Sequence, residues 1–176
     1  MTGSQGLYPE LASIRLLALD VDGVLTDGRV VWVGDEQRLA FSVRDGAALN
    51  WLRRESVQVA WISGRDSRAA RARASELGIE ELHLAVRDKA AVLAEVQSRL
   101  GIGVGETAAM GDDLPDLALA GGSGFFAAPA DAEPEVRERA RLVTVAPGGA
   151  GAVRELARHI LVARGRWQAV VEAHGG

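Results

Sequence analysis

The sequence of 176 residues contains no cysteine. It therefore has no disulfides, no thiolate ligands for zinc and no cysteine nucleophile, and it does not require an oxidising compartment. It also lacks a run of roughly 18 apolar residues that would span a membrane. The N-terminal stretch MTGSQGLYPEL has neither the basic start nor the apolar core of a signal peptide. We therefore expect a cytoplasmic protein.

A strong charge of either sign is missing as well. The chain has 20 lysines and arginines against 24 aspartates and glutamates, a net charge of -4. This balance gives no general attraction to nucleic acid or to an anionic membrane. The composition, 48% hydrophobic and 25% charged, is that of an ordinary globular protein. We expect an N-terminal lead-in over residues 1–14 and one domain over residues 15–176.

Short apolar runs alternate with longer amphipathic ones along most of the chain. We predict strands over 15–20, 57–62, 81–84, 107–110, 124–127 and 141–143, and helices over 46–55, 67–77, 89–100, 114–120, 133–140 and 150–163. This alternation predicts βαβ units and a doubly wound parallel sheet that is covered by helices on both faces, an α/β fold.

One segment, residues 29–43, breaks the alternation and reads as a β-hairpin. RVVWV and RLAFSV form its two strands, with GDEQ as the turn. The apolar side of VVWV favours pairing with another copy of the chain, since an isolated hairpin is marginally stable. The alternative is that Trp32 folds back onto its own core.

Carboxylates follow the first predicted strand, in the sequence LALDVDG. A helix cap or a turn needs one such oxygen acceptor, whereas Asp20 and Asp22 together repel each other unless a cation or a shared proton lies between them. Ligands of open parallel sheets bind beyond the carboxyl ends of the strands. The pair therefore predicts a site for a hard divalent cation such as Mg²⁺.

Three further groups follow later strands. Ser63-Gly64-Arg65 is typical either of a tight turn into a helix or of a phosphate pocket built from a hydroxyl, an amide and a helix N-terminus. Lys89 begins a predicted helix, where its charge opposes the helix dipole. In GDDLPD, Asp113 is a good helix cap, but a cap does not account for the other acidic residues, which predict the second half of an oxygen cage.

The ordered set DVDGVLTDG, SGR, lysine and GDDLPD resembles the four signature motifs of the haloacid dehalogenase superfamily of phosphohydrolases. The resemblance implies a Rossmann-like fold, Asp20 as the nucleophile that forms an aspartyl-phosphate, and Asp22 as general acid and base. It implies that Asp20, the Asp22 backbone carbonyl and Asp112 hold Mg²⁺. It also implies that Ser63, Gly64 and Lys89 bind phosphate, with Ser63 and Lys89 counted among the catalytic residues. Asp113 and Asp116 are implied to orient the metal ligand or its waters.

DGVLTDG, the hairpin, FSVRDG and GGAGAVRE together resemble the short, capless family of 3-deoxy-D-manno-octulosonate 8-phosphate phosphatases and their relatives that act on nonulosonate 9-phosphates. The resemblance implies a homotetramer assembled by the hairpins, in which a neighbouring subunit closes each active site. It also implies contacts with a sugar acid from Ser42, Val43, Arg44, Asp45, Gly46, Arg65 and Arg73.

Departures from that family's pattern keep alternatives open. Ser42 stands where asparagine is usual, GAALN replaces a glycine followed by YGIR, and Ala150 replaces an arginine. An octulosonate 8-phosphate, a nonulosonate 9-phosphate or another small sugar phosphate is therefore a candidate substrate.

Two other classes of protein are alternatives to a phosphatase. The first is a non-catalytic tetramerisation module, as in C-terminal domains of sugar-acid cytidylyltransferases, and the intact motifs argue against it. The second is a phosphoacceptor signalling domain, and the Asp20 and Asp22 pair argues against it.

Overall fold

Parallel strands form the central sheet of the protein. The structure is a computed structural model that describes residues 8–175. Residues 1–7 of the predicted lead-in, which begin the stretch inspected for a signal peptide, lie outside the described residues. The strands are β1 (Leu16–Leu19), β2 (Val31–Val33), β3 (Glu36–Arg38), β4 (Gln58–Ile62), β5 (Glu81–His83), β6 (Thr107–Met110), β7 (Phe125–Ala128) and β8 (Leu142–Val143). The order in the central sheet is β5-β4-β1-β6-β7-β8.

Helices cover both faces of this sheet, which confirms the predicted α/β fold. They are α1 (Val43–Arg54), α2 (Arg68–Leu77), α3 (Lys89–Leu100), α4 (Leu117–Gly121), α5 (Pro134–Arg139), α6 (Ala152–Ala163) and α7 (Trp167–Glu172), with 3-10 turns at Pro9–Ser13, Val104–Glu106 and Leu114–Asp116. None of the helices within residues 8–175 has the length and apolarity that crossing a lipid bilayer demands.

The two faces of β1 show how the core is divided. Leu17 and Leu19 pack in a cluster with α1, α2 and α6, whereas Leu16 and Ala18 pack in a second cluster with α3, α4 and α5. All the residues of β1 are buried, because both faces of a parallel sheet are covered. The lead-in contributes to the first cluster through Leu11, which lies in the first 3-10 turn.

Helix α1 begins at Val43, three residues before the predicted start. The reason is a helix cap, since the Ser42 hydroxyl oxygen accepts a hydrogen bond from the Asp45 amide at 3.2 Å. The segment predicted to contact a sugar acid therefore forms the first turn of a helix. The region predicted as one helix over 114–120 divides into a 3-10 turn and α4, with Pro115 in that turn. Helix α7 was not predicted.

The hairpin is shorter than predicted, with three residues in each strand. Val33 pairs with Glu36 across a turn at Gly34 and Asp35. Strands β2 and β3 form a separate two-stranded sheet, and Trp32 is 61% exposed rather than folded onto its own core.

Candidate active site

The candidate site lies where β1 and β6 end, beside each other in the sheet. Leu19 pairs with Met110, so the acidic residues that follow these strands meet at one edge. The Asp20 amide donates to the Met110 carbonyl at 3.1 Å. From β1 the chain continues towards β4 and β5 on one side and returns to β6 on the other, which makes this edge a topological switch point, where open α/β sheets bind ligands.

Lys89 connects two of the carboxylates. Its ammonium lies 2.5 Å from Asp20 Oδ1 and 2.6 Å from Asp116 Oδ1. All three side chains are buried, and the helix that presents Lys89 is capped by Asp88, whose carboxylate accepts the Ala91 amide at 3.0 Å. Burial acts to lower the pKa of Lys89, but the carboxylates of Asp20 and Asp116 outweigh it, so the pKa is raised and the lysine stays charged.

Asp116 has a larger part in the geometry than the sequence indicated. Besides holding Lys89, it accepts hydrogen bonds through Oδ2 from the amides of Asp112 at 2.9 Å and Asp113 at 3.2 Å. Its position four residues after Asp112 allows the side chain to reach back to these amides, and this spacing was the available signal. Asp113 is exposed and accepts from the Leu114 amide at 2.7 Å, as a cap would.

The carboxylate cluster fits a divalent cation. Oxygen atoms of Asp20, Asp112 and Asp116 all lie within 4.8 Å of one another. Burial, followed by the charge of Asp116, raises the pKa of Asp20 to about 7; burial, followed by the charge of Asp20, raises the pKa of Asp112 to about 8. A cation bound here would favour the ionised form of these buried carboxylates, and oxygen ligands of this kind suit Mg²⁺. Asp20 and Asp112 are the better candidates for ligands, because both oxygens of Asp116 are already engaged: Oδ1 by Lys89 and Oδ2 by two amides.

Asp22 lines the same cleft as this cluster, but its carboxylate contacts Ser63 and Arg65. Asp22 Oδ2 accepts from the Ser63 hydroxyl at 3.4 Å, and Oδ1 accepts from Arg65 Nη1 at 3.3 Å. The second nitrogen of Arg65 donates to Gln37 Oε1 at 3.3 Å. Arg65 therefore links the hairpin to the acidic loop, a contact that no local pattern around Gln37 indicates.

Position 23 has room only for glycine, because the Asp112 carboxylate lies directly against it. The φ of Gly23, +97°, is uncommon for residues with a side chain, and a Cβ atom here would lie 2.0 Å from Asp112 Oδ2. The turn after β1 therefore leaves room for a carboxylate from the GDDLPD segment. The two acidic motifs fit together through this glycine.

An open cleft of about 340 Å³ surrounds these groups. It is lined by Asp20, Asp22, Gly28, Ser63, Gly64, Arg65, Lys89, Asp112, Asp113, Pro115 and Asp116. The structure thus brings together the residues predicted for catalysis, metal binding and phosphate binding. Gly28 and Pro115 were not among the predicted site residues, although both belong to the quoted motifs: Gly28 ends DVDGVLTDG, and Pro115 lies within GDDLPD.

Arg65 is the one residue predicted to contact a sugar acid that lines this cleft. Val43 and Arg44 are exposed on the first turn of α1, and Ser42 caps that helix. Arg73 Nη1 pairs with Glu76 at 2.8 Å, and Nη2 donates to the Ser42 carbonyl at 3.5 Å. Gly46 packs against the same guanidinium.

Asp45, also predicted to contact the substrate, is 1% exposed. Its carboxylate accepts hydrogen bonds from the amides of Gly151 at 3.2 Å and Arg154 at 2.8 Å. Burial raises the pKa of Asp45, although these amides act in the opposite direction. The Asp45 side chain therefore lies inside the protein, against the first turn of α6, and does not line the cleft.

A doubly wound sheet with paired aspartates, a buried lysine and a second acidic segment at its carboxyl edge defines a phosphohydrolase of the haloacid dehalogenase type. The sequence is 38% identical over 165 residues to 3-deoxy-D-manno-octulosonate 8-phosphate phosphatase KdsC of Escherichia coli strain K12, which covers 93% of this chain and 87% of that protein. The Yersinia pestis protein of the same name is 39% identical over 155 residues, covering 87% and 82%. The chain therefore belongs to the 3-deoxy-D-manno-octulosonate 8-phosphate phosphatase family. No family model matches the sequence.

Solved structures agree with this assignment. The 3-deoxy-D-manno-octulosonate 8-phosphate phosphatase of Moraxella catarrhalis, crystallised with a magnesium ion, a phosphate ion and a KDO molecule, matches with a TM-score of 0.92 at 34% identity, covering 95% of this chain and 97% of that one. A probable YrbI family phosphatase from Pseudomonas syringae matches with a TM-score of 0.93 at 40% identity, covering 97% and 98%. A cobalt-bound form of the Haemophilus influenzae enzyme matches with a TM-score of 0.90 at 35% identity, covering 94% and 98%.

Proposed function

We propose that this protein is a Mg²⁺-dependent phosphatase that hydrolyses a phosphate monoester of a 3-deoxy sugar acid through an aspartyl-phosphate. The observation that carries the proposal is the meeting of Asp20, Lys89 and Asp112 at one sheet edge, with 2.5 Å between the lysine ammonium and Asp20 Oδ1. A nucleophilic carboxylate, a fixed positive charge and a cation site are the parts that phosphoryl transfer needs.

In the proposed reaction an oxygen of Asp20 attacks phosphorus, and the bond from phosphorus to the ester oxygen breaks. Asp22 gives its proton to the departing alkoxide. Water then attacks phosphorus while Asp22 takes up a proton, and the bond between phosphorus and the Asp20 oxygen breaks, which restores the carboxylate. The hydrogen bonds from Ser63 and Arg65 support this role, because they hold the Asp22 carboxylate in the cleft that Asp20 also lines.

Asp20, Asp112 and the backbone carbonyl of Asp22 are the groups we assign to Mg²⁺, which when bound would neutralise charge on the transferring phosphoryl group. Lys89 orients one oxygen of Asp20 and leaves the other for attack. We assign Ser63 and Gly64 to phosphate binding, since both line the cleft at the carboxyl end of β4.

For the substrate we propose 3-deoxy-D-manno-octulosonate 8-phosphate or a nonulosonate 9-phosphate. Support comes from the relatives, whose names give the first of these compounds. Another small sugar phosphate is a second candidate, favoured by one observation: among the residues predicted to contact a sugar acid, only Arg65 lines the cleft. One chain thus places only one of the predicted sugar-acid contacts in the cleft.

We further propose a homotetramer in which the hairpins pair and a neighbouring subunit closes the site. The exposed side chains of Val31, Trp32 and Val33 support it, because apolar surface on a small hairpin gains stability from burial. Such an assembly would add residues of a neighbouring subunit to the cleft. The cytoplasmic location stays a prediction from the sequence.

The test is Asp20→Asn, which removes the nucleophile and keeps its shape. We expect Mg²⁺-dependent phosphate release from p-nitrophenyl phosphate and from 3-deoxy-D-manno-octulosonate 8-phosphate to fall on the order of 10⁴-fold, since removing a nucleophile has effects of this size. Circular dichroism checks that the variant is folded. Undiminished release by a folded Asp20→Asn protein would refute the proposed nucleophile. A stable phosphoprotein formed by the unchanged chain would instead favour a phosphoacceptor.

A further inference from the structure

Residues 147–151, which we call the strap, lie between β8 and α6 and rest on the loop that carries Asp22. The Gly149 amide donates to the Val24 carbonyl at 2.9 Å. A Cβ atom on Gly148 would lie 1.8 Å from the Gly23 carbonyl oxygen, and one on Gly149, whose φ is +66°, would lie 2.4 Å from the Thr26 carbonyl carbon. The backbones of the strap and of this loop are thus in direct contact, and at positions 148 and 149 only glycine leaves room for it.

Side chains from elsewhere in the fold hold both ends of the strap. Asp131 Oδ1 accepts from the Gly148 amide at 2.9 Å, near the beginning. At the other end the Asp45 carboxylate accepts from Gly151 and, within the first turn of α6, from Arg154. Gly151 occupies the N-cap position of α6 and has no side chain to cap it, so Asp45 supplies the cap from helix α1.

The position of Asp45 is itself fixed. Its own amide is held by the Ser42 hydroxyl, and its side chain is buried away from the cleft. Both carboxylate oxygens are engaged by amides of α6 and the strap. A continuous set of contacts therefore runs from α1 through Asp45 to the strap, and from the strap to the loop between Asp20 and Thr26.

We propose that Asp45 is a positioning residue that acts through the strap to hold the Asp22 loop in its working position, rather than a contact of the sugar acid. This inference rests on the proposed function. It follows that Asp45 affects the chemical step with every phosphate ester, whereas a substrate contact would affect only esters that carry the sugar acid. Displacing a reacting group slightly lowers the rate of the chemical step far more than it weakens binding.

The experiment compares Asp45→Asn with the unchanged protein on p-nitrophenyl phosphate and on 3-deoxy-D-manno-octulosonate 8-phosphate. Asparagine keeps one acceptor but turns an NH₂ group towards the second amide. We expect kcat to fall about tenfold with both substrates while KM stays within about twofold, since misplacement by a fraction of an ångström has effects of this order. The Gly149 amide should also exchange with deuterium faster in the variant.

Arg164→Met is the matched control. Arg164 anchors the opposite end of α6 by donating to the carbonyls of Ile14 at 2.7 Å and Glu55 at 3.0 Å. It lies away from the strap, so we expect lower stability with unchanged kcat. An equal loss of kcat in Arg164→Met would show that any loosening of α6 has this effect, and would overturn the proposal.

Other outcomes are equally decisive. A rise in KM confined to the sugar-acid substrate would make Asp45 a substrate contact, and unchanged kcat in folded Asp45→Asn would remove its role. If Asp45→Asn does not fold, Asp131→Ala tests the strap from its other end, and unchanged kcat there would overturn the inference. Lack of phosphatase activity in the unchanged protein would refute the proposed function instead, while exchange at the Gly149 amide would still report on the strap.

Discussion

Lys89 Nζ lies 2.5 Å from Asp20 Oδ1, and the same ammonium lies 2.6 Å from Asp116 Oδ1. One positive charge thus pairs with two buried carboxylates, whereas Asp112 forms no salt bridge with any side chain of residues 8–175. This arrangement leaves excess negative charge at the sheet edge. Burial is the main cause of the raised pKa values of Asp20 and Asp112, and this excess charge adds to it, which makes the cluster suited to a metal ion.

Lys89→Met should reduce both stability and activity. Removing one partner of a buried ion pair leaves the other charge uncompensated, at a cost of about 3 kcal/mol in the free energy of unfolding. Urea unfolding near neutral pH without Mg²⁺ measures this loss, and kcat should fall at least about 100-fold because a fixed charge at the phosphoryl group is lost. Arg87→Met changes an exposed neighbour and should alter neither quantity. Equal stability of both variants would contradict the pairing.

The stability of the metal-free protein should fall as pH rises from about 4 to about 8. The pKa values of Asp20 and Asp112 are raised to about 7 and about 8 in the folded protein, so over this range the folded chain holds protons that the unfolded chain has released. Protons bound only by the folded state stabilise it, and this contribution disappears as those groups ionise.

Mg²⁺ should therefore stabilise the protein more at about pH 8 than at about pH 6, because cation binding requires ionised carboxylates. Thermal unfolding with EDTA and with Mg²⁺ at both pH values measures the difference in Tm. Asp112→Asn should remove most of the Mg²⁺-dependent increase. An increase independent of pH would contradict the assignment of Asp20 and Asp112 to the cation.

The motif residues could be predicted from the sequence because parallel topology brings the ends of strands together. The predicted bounds of β6 and α3 agree with the structure, and the residues that follow β1, β4 and β6 meet at one edge. Their common position needed only a local pattern and the rule that ligands bind at the carboxyl ends of strands, whereas their individual roles were inferred from the family resemblance.

The first turn of α1 shows where a local pattern was insufficient. The sequence pattern predicted a strand that ends at Val43 and a helix that begins at Gly46, but Ser42 caps a helix that already begins at Val43. Asp45 accepts from amides that lie more than 100 residues later. Whether a charged side chain faces substrate or caps a distant helix depends on tertiary contacts. For the same reason the sequence did not indicate the contact between Arg65 and Gln37.

Trp32→Glu should dissociate the proposed homotetramer. Trp32 is 61% exposed on β2, and a buried charge at a hairpin interface would be strongly unfavourable. Size-exclusion chromatography with light scattering measures the change in mass, and activity on the sugar-acid phosphate should fall more than activity on p-nitrophenyl phosphate. Val104→Glu places the same charge on another exposed apolar residue and should leave the mass unchanged. A monomer for the unchanged protein would refute the assembly.

Gly23→Ala should impair Mg²⁺ binding more than its backbone strain alone explains. Gly34 provides a matched control, because it also has a positive φ, of +61°, but a Cβ atom there would have nothing within 4 Å. Gly34→Ala should therefore cost only the strain of a left-handed residue, about 1–2 kcal/mol. At Gly23 the added methyl group meets Asp112 Oδ2 at 2.0 Å and must displace a proposed ligand. Titration calorimetry with Mg²⁺ should show binding retained in Gly34→Ala and lost in Gly23→Ala; equal affinities would mean that the packing of Asp112 on Gly23 does not matter for the cation site.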